Sequence, residues 1–305
     1  MTPTRIVLDC DPGHDDAIAM LLALASPEVE LLGVTTVHGN QTIEKTTLNA
    51  LKMLELAGRS DIPVARGADR PLVRELVIAD HVHGDSGLDG PSLPEPRVRP
   101  VDQDAVSLLA ELLEPGVVLV PTGPLTNVAL LLERHPDVRP ERIVLMGGAI
   151  GLGNFTPAAE FNIWADPEAA AQVFASGLNV TMVGLDVTHQ AIVGPERVAR
   201  YREMGTIGAV VAELLEFFSQ FHRRTYGWNG SPVHDALAVA HVIQPGLLET
   251  ANRHVAVETD SDLCRGRTLV DLYHRTTAEP NAHVAVNVDA AAFLDLLEAR
   301  IASLG

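Results

Sequence analysis

The sequence predicts an α/β fold in which a mainly parallel central sheet is flanked by helices. Short runs of β-branched and other apolar residues alternate with longer helical runs over the first two thirds of the chain. The 305 residues, 47% of them hydrophobic, suffice for one large core. We find no linker, repeat or low-complexity tract. We therefore predict a single domain over residues 1–305.

The alternation of strands and helices can be followed element by element as far as residue 184. Runs such as RIVL and VVLV are typical of buried strands, Gly58 favours the end of one helix, and Pro167 favours the start of another. This order predicts parallel strands joined by right-handed crossovers. The predicted strands are 5–8, 30–36, 117–120, 142–146 and 180–184, and the predicted helices are 15–25, 42–57, 125–134 and 167–176.

Two parts of the chain are less regular. Residues 66–100 are rich in Pro, Gly and Asp, which predicts a long functional loop or a small subdomain. In the C-terminal third the pattern predicts only helices, at 209–224, 235–242 and 290–302.

Composition excludes several classes of function. With 40 acidic and 22 basic residues the net charge is −18, and a nucleic-acid-binding protein would need a basic face. Cys10 and Cys264 form no zinc-binding pattern. No apolar run approaches the ~20 residues of a membrane helix, and the N-terminus lacks the pattern of a signal peptide. We predict a cytoplasmic protein that acts on a small molecule.

Carboxylates are concentrated after the first predicted strand. Asp9, Asp11, Asp15 and Asp16 lie within eight residues, where the first helix begins. Ligands of open α/β sheets bind at the carboxyl ends of strands, and four neighbouring carboxylates repel one another unless a cation is present. Hard cations such as Ca²⁺ and Mg²⁺ prefer oxygen ligands. Helix capping is the alternative, but the turn at Pro12-Gly13 favours one shared pocket.

The same run is also similar to the nucleophile loop DxDx[TV] of haloacid-dehalogenase-type phosphatases. Asp9-Cys10-Asp11 fits the start of that motif. Gly13 stands where Thr or Val is expected, and the pair Asp15-Asp16 has no counterpart there. A Mg²⁺-dependent phosphatase is therefore the weaker alternative.

Seven motifs in a fixed order resemble the inosine–uridine-preferring nucleoside hydrolase family. The first, D-x-D-P-G-x-D-D at Asp9–Asp16, is similar to that family's signature. The resemblance extends to about residue 240. The other motifs are Val37–Asn40, His83–Leu88, Pro121–Asn127, Met146–Gly148 with Asn154 and Glu160–Asn162, Asp166–Ala170, and His234-Asp235.

This resemblance implies a nucleoside hydrolase fold with a Rossmann-like core and a bound Ca²⁺ as cofactor. The implied Ca²⁺ ligands are the carboxylates of Asp11, Asp16 and Asp235 and the backbone carbonyl of Thr122. An all-oxygen shell is what Ca²⁺ prefers. The substrate would be a ribonucleoside, and the site should be strict for ribose over deoxyribose because buried polar groups need partners. The implied ribose-binding residues are Asp15, Asn40, Asn154, Glu160 and Asn162, with Met146 packed beside the sugar.

The resemblance also implies roles in catalysis. An N-glycosidic bond breaks through an oxocarbenium-like sugar, so the site must supply water and help the base to leave. Asp11 is the expected general base for a metal-held water. His234 is the expected partner of the leaving base, since a histidine titrates near neutrality, and His83 assists or lines the base pocket.

Base preference is less determined by the sequence. Trp164 and Trp228 are the only tryptophans, and Phe221, His222 and Tyr226 lie where family members place base-contacting groups. We predict pyrimidine-preferring or broad specificity. The resemblance further implies a homodimer or homotetramer. An unusual riboside as substrate, and a nucleoside-binding protein without catalysis, remain as alternatives.

Overall fold

The computed structural model describes residues 2–305, and it confirms the predicted fold class. The strands are β1 Thr4–Cys10, β2 Val29–Thr36, β3 Val64–Arg66, β4 Val118–Pro121, β5 Arg142–Met146, β6 Val180–Val183, β7 Ile192–Val193, β8 Ser231–Pro232, β9 Leu248–Arg253, β10 Val255–Val257, β11 Thr268–Val270 and β12 Ala282–Val288. Eight of them form one sheet in the order β3-β2-β1-β4-β5-β6-β12-β9, in which only β9 runs antiparallel to its neighbour. Two small two-stranded sheets, β10-β11 and β7-β8, are separate from it.

Helices cover both faces of the large sheet and bury two apolar clusters against it. Some helices begin at a local signal: the side chain of Asp166 accepts the backbone N–H of Ala169, for example, and Pro167 takes the first helical position. The helices are α1 His14–Ala25, α2 Ile43–Leu56, α3 Asp80–His83, α4 Ala105–Leu112, α5 Thr126–Arg134, α6 Phe161–Ala165, α7 Pro167–Ala175, α8 Leu185–Thr188, α9 Pro195–Arg202, α10 Gly205–Tyr226, α11 His234–Ile243 and α12 Ala290–Ala302, with a 3₁₀ turn at Pro245–Leu247.

The predicted elements agree with the observed ones to within a few residues at each end. The stretch 66–100 is a loop, as predicted, and it contains only the single-turn helix α3. Several elements were not predicted, namely the strands β3 and β7 to β12 and the helices α3, α4, α6, α8 and α9. The strand β12 lies between β6 and β9 inside the large sheet, so its conformation depends on partners that are distant in the sequence.

The order of the strands determines where a ligand can bind. From β1 the chain adds β2 and β3 on one side and then returns to place β4 on the other side of β1. Loops after β1 and β4 therefore diverge and leave a crevice at the carboxyl ends of these two strands. None of the helices in residues 2–305 is both long and apolar enough to span a bilayer.

Candidate active site

A cavity opens at this crevice. Asp11 follows β1 and Thr122 follows β4, and the register pairs Asp9 with Pro121 directly beneath them. Helices α1 and α11, which pack against each other, both begin at the floor of the cavity. Their N-terminal turns carry Asp15, Asp16 and Asp235, where the helix dipole partly offsets negative charge.

Three of these carboxylates form a compact cluster. Asp15, Asp16 and Asp235 each offer an oxygen atom, and the three oxygen atoms lie within 4.8 Å of one another. All three side chains are buried. Burial, together with repulsion between the neighbouring carboxylates, raises the pKa of Asp15 and of Asp235. A divalent cation would remove that repulsion, so the cluster could bind a metal ion.

Asp11 lies beside this cluster, and one of its two carboxylate oxygens makes no hydrogen bond within residues 2–305. Its Oδ2 accepts the backbone N–H of Asn40 at 2.7 Å, whereas its buried Oδ1 has no hydrogen-bond partner among the described residues. Burial and the charge of Asp16 raise the pKa of Asp11 well above its ordinary value. The predicted ligands thus fit a hard cation by donor type, although the three closest carboxylates include Asp15 rather than Asp11.

The loop after β2 closes one side of the cluster. The Asn40 amide donates to the Asp11 carbonyl at 3.1 Å and to Asp16 Oδ2 at 3.0 Å, so Asn40 orders the carboxylates and does not cap α2, whose N-cap is Thr42. Gly39 has a φ of 154°, and a side chain there would collide with the Asp11 carboxylate. Glycine is therefore required for this close approach of the backbone.

The opposite wall is made of amide and carboxylate side chains. The Asn162 side chain donates to the carbonyl of Thr122 at 2.7 Å and to the carbonyl of Met146 at 3.1 Å. The Asn154 side chain accepts the backbone N–H of Phe161 at 3.0 Å and thereby ties its loop to α6. The Glu160 carboxylate caps the same helix. These contacts hold polar groups along the edge of the cavity.

Glu160 is held as a buried carboxylate by backbone donors. The N–H groups of Gly148, Asn162 and Ile163 donate to it at 2.9, 2.9 and 3.1 Å. Burial outweighs these hydrogen bonds and raises the pKa of Glu160 from 4.5 to about 7. Ionisation of Glu160 therefore costs more in the folded protein than in the unfolded chain.

This shift predicts how the stability of a Glu160→Gln variant depends on pH. Because the pKa of Glu160 is higher in the folded state, the wild type loses stability as the pH rises between its unfolded value of 4.5 and about 7, whereas glutamine does not titrate. We expect the free energy of unfolding of the variant to rise relative to the wild type between about pH 5 and about pH 8. Urea unfolding at both pH values measures it. If the free energies of unfolding of the variant and the wild type differed by the same amount at both pH values, the raised pKa of Glu160 would be contradicted.

Histidines and aromatic rings form another part of the cavity lining. His83 from α3, His234 from α11 and Phe218 from α10 lie together there, and the ring centroids of His83 and Phe218 are 5.1 Å apart. The Nδ1 atom of His234 lies 2.7 Å from the hydroxyl of Thr188. Burial and the neighbouring His189 lower the pKa of His234 well below its ordinary value, contrary to the expectation of titration near neutrality.

Both tryptophans lie within the described residues, and neither lines the cavity. Trp228 stacks on Tyr226, with ring centroids 4.5 Å apart, and so supports a side chain that does line it. Trp164 packs on Phe155 at 4.2 Å and beneath the guanidinium of Arg265 at 4.1 Å. Trp164 therefore has a packing role behind the wall.

The structure brings the predicted site residues together. Asp15, Asn40, His83, Thr122, Met146, Asn154, Glu160, Asn162, Tyr226, His234 and Asp235 line the cavity, together with Phe221 and His222. Asp11 and Asp16 adjoin the lining residues Asn40 and Asp15 from behind.

Sequence reasoning missed part of the apolar lining. Phe218 precedes His222 by four residues, one helical turn, so the spacing on α10 was the available signal. The lining residues that come from separate loops had no such signal in the sequence. The missed lining residues are Ala79, His81, Val82, Phe155, Phe161, His189 and Phe218.

Asp9, the first aspartate of the run Asp9–Asp16, has a different role from the other aspartates of that run. Asp9 is buried away from the cavity, where its carboxylate accepts hydrogen bonds from Thr35 at 2.6 Å and from Asn127 at 2.7 Å. The dehalogenase alternative requires the first aspartate of DxDx[TV] to be the nucleophile. Asp9 does not line the cavity, and its Oδ1 is already bound by Thr35 and Asn127, which argues against a phosphatase.

The comparisons with known proteins agree with this architecture. The family model of the inosine-uridine preferring nucleoside hydrolase matches residues 6–295. The chain belongs to this family, and it is therefore an enzyme that hydrolyses N-ribosyl bonds. This assignment removes the phosphatase and the non-catalytic binding protein as alternatives.

Individual relatives cover almost the whole chain. A pyrimidine-specific ribonucleoside hydrolase, RihA, of Klebsiella pneumoniae is 53% identical over 97% of this chain and 98% of its own length. RihA of Escherichia coli O17:K52:H18 is 54% identical, over 97% of both chains. Among solved structures, a purine-preferring ribonucleoside hydrolase from Gardnerella vaginalis superposes with a TM-score of 0.93 at 34% identity, over 98% of both chains. A plant nucleoside hydrolase superposes with a TM-score of 0.92 at 35% identity, over 98% of this chain and 99% of its own.

Proposed function

We propose that this enzyme is a Ca²⁺-dependent, pyrimidine-preferring ribonucleoside hydrolase that converts a nucleoside and water into ribose and free base. One observation carries the proposal. A single cavity is lined by buried carboxylates and amides and also by histidines and aromatic rings. A ribonucleoside has the same two-part character, with a hydroxyl-rich sugar joined to a flat base.

The proposed metal ligands are the carboxylates of Asp11, Asp16 and Asp235 and the carbonyl oxygen of Thr122. The unpartnered Oδ1 of Asp11 and the raised pKa values of the buried cluster support a cation in this place. Bound there, Ca²⁺ supplies positive charge that gathers water and sugar hydroxyls while the carboxylates stay ionised. Among divalent cations, we favour Ca²⁺ because all four donors are oxygen atoms and the family resemblance implies it.

The sugar would lie on the floor of the cavity. Asp15 accepts hydrogen bonds from ribose hydroxyls, and Asn40 and Asn162, already oriented by their contacts to the cluster, complete the polar floor. Glu160 and Asn154 bind the remaining hydroxyls, and Met146 packs against the sugar ring. Each buried polar group left without a hydroxyl costs about 1–3 kcal/mol, which favours ribose over deoxyribose.

Asp11 is the proposed general base. Its Oδ1 is buried and unpartnered, and its Oδ2 accepts the backbone N–H of Asn40, a residue that lines the cavity. A carboxylate in this position accepts a proton from the water that attacks C1′ as the C1′–N bond breaks. The remaining anionic side chains stabilise the positive charge that develops on the ribose.

The base leaves toward the histidine-rich end of the cavity. His234 lies beside Asp235 in α11, and the hydroxyl of Thr188 holds its ring. Because burial keeps His234 neutral, its contribution is a hydrogen bond to the departing base rather than a positive charge. His83 and Tyr226 line the same end and contact the base.

The preference for pyrimidines rests on two lines of support. The relatives that are 53–54% identical over nearly the whole chain are named pyrimidine-specific, whereas the solved structure named purine-preferring is 34% identical. Neither tryptophan lines the cavity, so no indole ring is available there to stack on a purine. Stacking on indole is a strong source of affinity for large flat bases.

A substrate panel tests the proposal. We expect release of ribose from uridine and cytidine at rates at least ~10-fold above those from inosine and adenosine, because a fitted pocket discriminates by about 1–3 kcal/mol. 2′-Deoxyuridine is the control for the ribose floor and should react far more slowly than uridine. A faster reaction with inosine would refute the pyrimidine preference. No release from any ribonucleoside would point to an unusual riboside.

We further propose that residues 1–305 form one hydrolase domain. The family match over residues 6–295 and the continuous eight-stranded sheet support this division. A cytoplasmic location and assembly as a homodimer or homotetramer stay predictions from the sequence.

A further inference from the structure

Thr188 contacts the reaction machinery without lining the cavity. It is the last residue of α8, it is fully buried, and its Oγ1 lies 2.7 Å from Nδ1 of His234. No other side-chain hydrogen bond of His234 is present among residues 2–305. Because His234 lines the cavity, its Nε2 atom is the nitrogen left for a ligand.

Hydrogen-bond accounting indicates which atom donates. A neutral imidazole carries one N–H donor and one acceptor nitrogen, and a threonine hydroxyl has a single hydrogen to donate. In the described part of the chain, the Thr188 hydroxyl has no partner other than His234 Nδ1. If Nδ1 were the donor, the buried hydroxyl hydrogen would have no acceptor, which is costly. Donation from Thr188 to Nδ1 leaves both groups satisfied.

The short helix that carries Thr188 is itself held in place. The Asp186 carboxylate accepts the backbone N–H of Ile150 at 2.6 Å and that of Gly151 at 3.0 Å. These bonds fasten α8 to the loop after β5. The ring of His189 also packs near His234, with ring centroids 5.5 Å apart. Thr188 therefore meets Nδ1 from a fixed position.

We propose that Thr188 is a positioning residue that holds His234 in its Nε2–H tautomer and so aims a hydrogen-bond donor at the departing base. The inference rests on the proposed role of His234. In the step concerned, the C1′–N1 bond breaks and its electron pair stays on the pyrimidine. The pyrimidine anion accepts the hydrogen bond from Nε2–H and later takes a proton from water. The proton of the attacking water goes to Asp11.

Two substrates separate this role from a merely structural one. Uridine has a poor leaving group that needs the hydrogen bond, whereas p-nitrophenyl β-D-ribofuranoside releases a stable anion without such help. We expect Thr188→Val to lower kcat for uridine by about 10- to 100-fold and to leave kcat for the p-nitrophenyl substrate within about twofold of wild type. The loss stays below that of removing His234, because an unheld imidazole still samples the Nε2–H tautomer. Thr188→Ser restores the hydroxyl and should recover most of the loss.

The matched control is Thr181→Val in β6, a buried threonine that neither lines the cavity nor contacts His234. It should leave both activities unchanged. His234→Gln serves as the reference for the proposed function and should also affect uridine selectively. Equal losses on both substrates in His234→Gln would refute the role of His234 itself. Two outcomes would overturn only the inference about Thr188. One is a selective loss on uridine in His234→Gln with no such loss in Thr188→Val, and the other is an equal loss on both substrates in Thr188→Val.

If Thr188→Val does not fold, the native protein provides the test. ¹⁵N chemical shifts of histidine-labelled protein, with the His234 signals assigned by their absence in His234→Gln, report which ring nitrogen carries the proton. A protonated Nε2 and an unprotonated Nδ1 are expected. A proton on Nδ1 would overturn the inference.

Discussion

Replacing Asp11 with asparagine should lower kcat for uridine by about 10²- to 10⁴-fold, the range over which a general base contributes. The side chain keeps its size, and its amide can still accept the Asn40 N–H that now meets Oδ2. What is lost is the anionic Oδ1 that has no partner inside the protein. Initial rates at saturating uridine measure the effect.

Two further variants test whether the loss of activity reflects the role of Asp11 as general base. Asp9→Asn changes another buried carboxylate two residues away that does not line the cavity, and it should leave kcat per folded molecule nearly unchanged. Asp16→Asn weakens the proposed metal site without removing the base, so excess Ca²⁺ should recover part of its activity. Full activity of Asp11→Asn, or its recovery by excess Ca²⁺, would contradict the role of Asp11 as base.

Adding Ca²⁺ to metal-stripped protein should raise its melting temperature. The buried carboxylates of Asp11, Asp15, Asp16 and Asp235 repel one another, and a ligand that binds only the folded state stabilises it by about 2.7 kcal/mol at 100 times its Kd. For a chain of this size that corresponds to a rise of about 4 °C. Thermal unfolding followed by circular dichroism in a Ca²⁺ titration measures it.

The control for this titration is Asp16→Asn combined with Asp235→Asn. Losing two of the three clustered carboxylates relieves the repulsion and removes the proposed ligands together. The double variant should therefore melt at a temperature that does not depend on Ca²⁺. An equal Ca²⁺ response in the double variant and the wild type would place the cation elsewhere.

Much of the site could be predicted because its residues occur in short motifs. Asp11, Asp15 and Asp16 follow the first strand, and the rule that ligands bind beyond strand ends placed them at the crevice between β1 and β4. The distant Asp235 joined them through the family resemblance. Packing of α11 against α1 explains its position, and no local pattern indicates that contact.

Other features depend on contacts that no motif records. Thr188 meets His234 only after β6, α8 and α11 have packed, and the strand β12 needs β6 and β9 as neighbours. The protonation state of His234 could not be predicted from the sequence either. An isolated histidine titrates near neutrality, whereas desolvation in this cavity keeps His234 neutral.

The most direct test of the central claim is ribose release from uridine by the purified protein, before metal removal, after it, and after Ca²⁺ is restored. We expect ribose release from the native protein, its loss after chelation, and its return with Ca²⁺. Undiminished release from protein shown to be free of metal would contradict the proposal that the carboxylate cluster acts together with a bound cation.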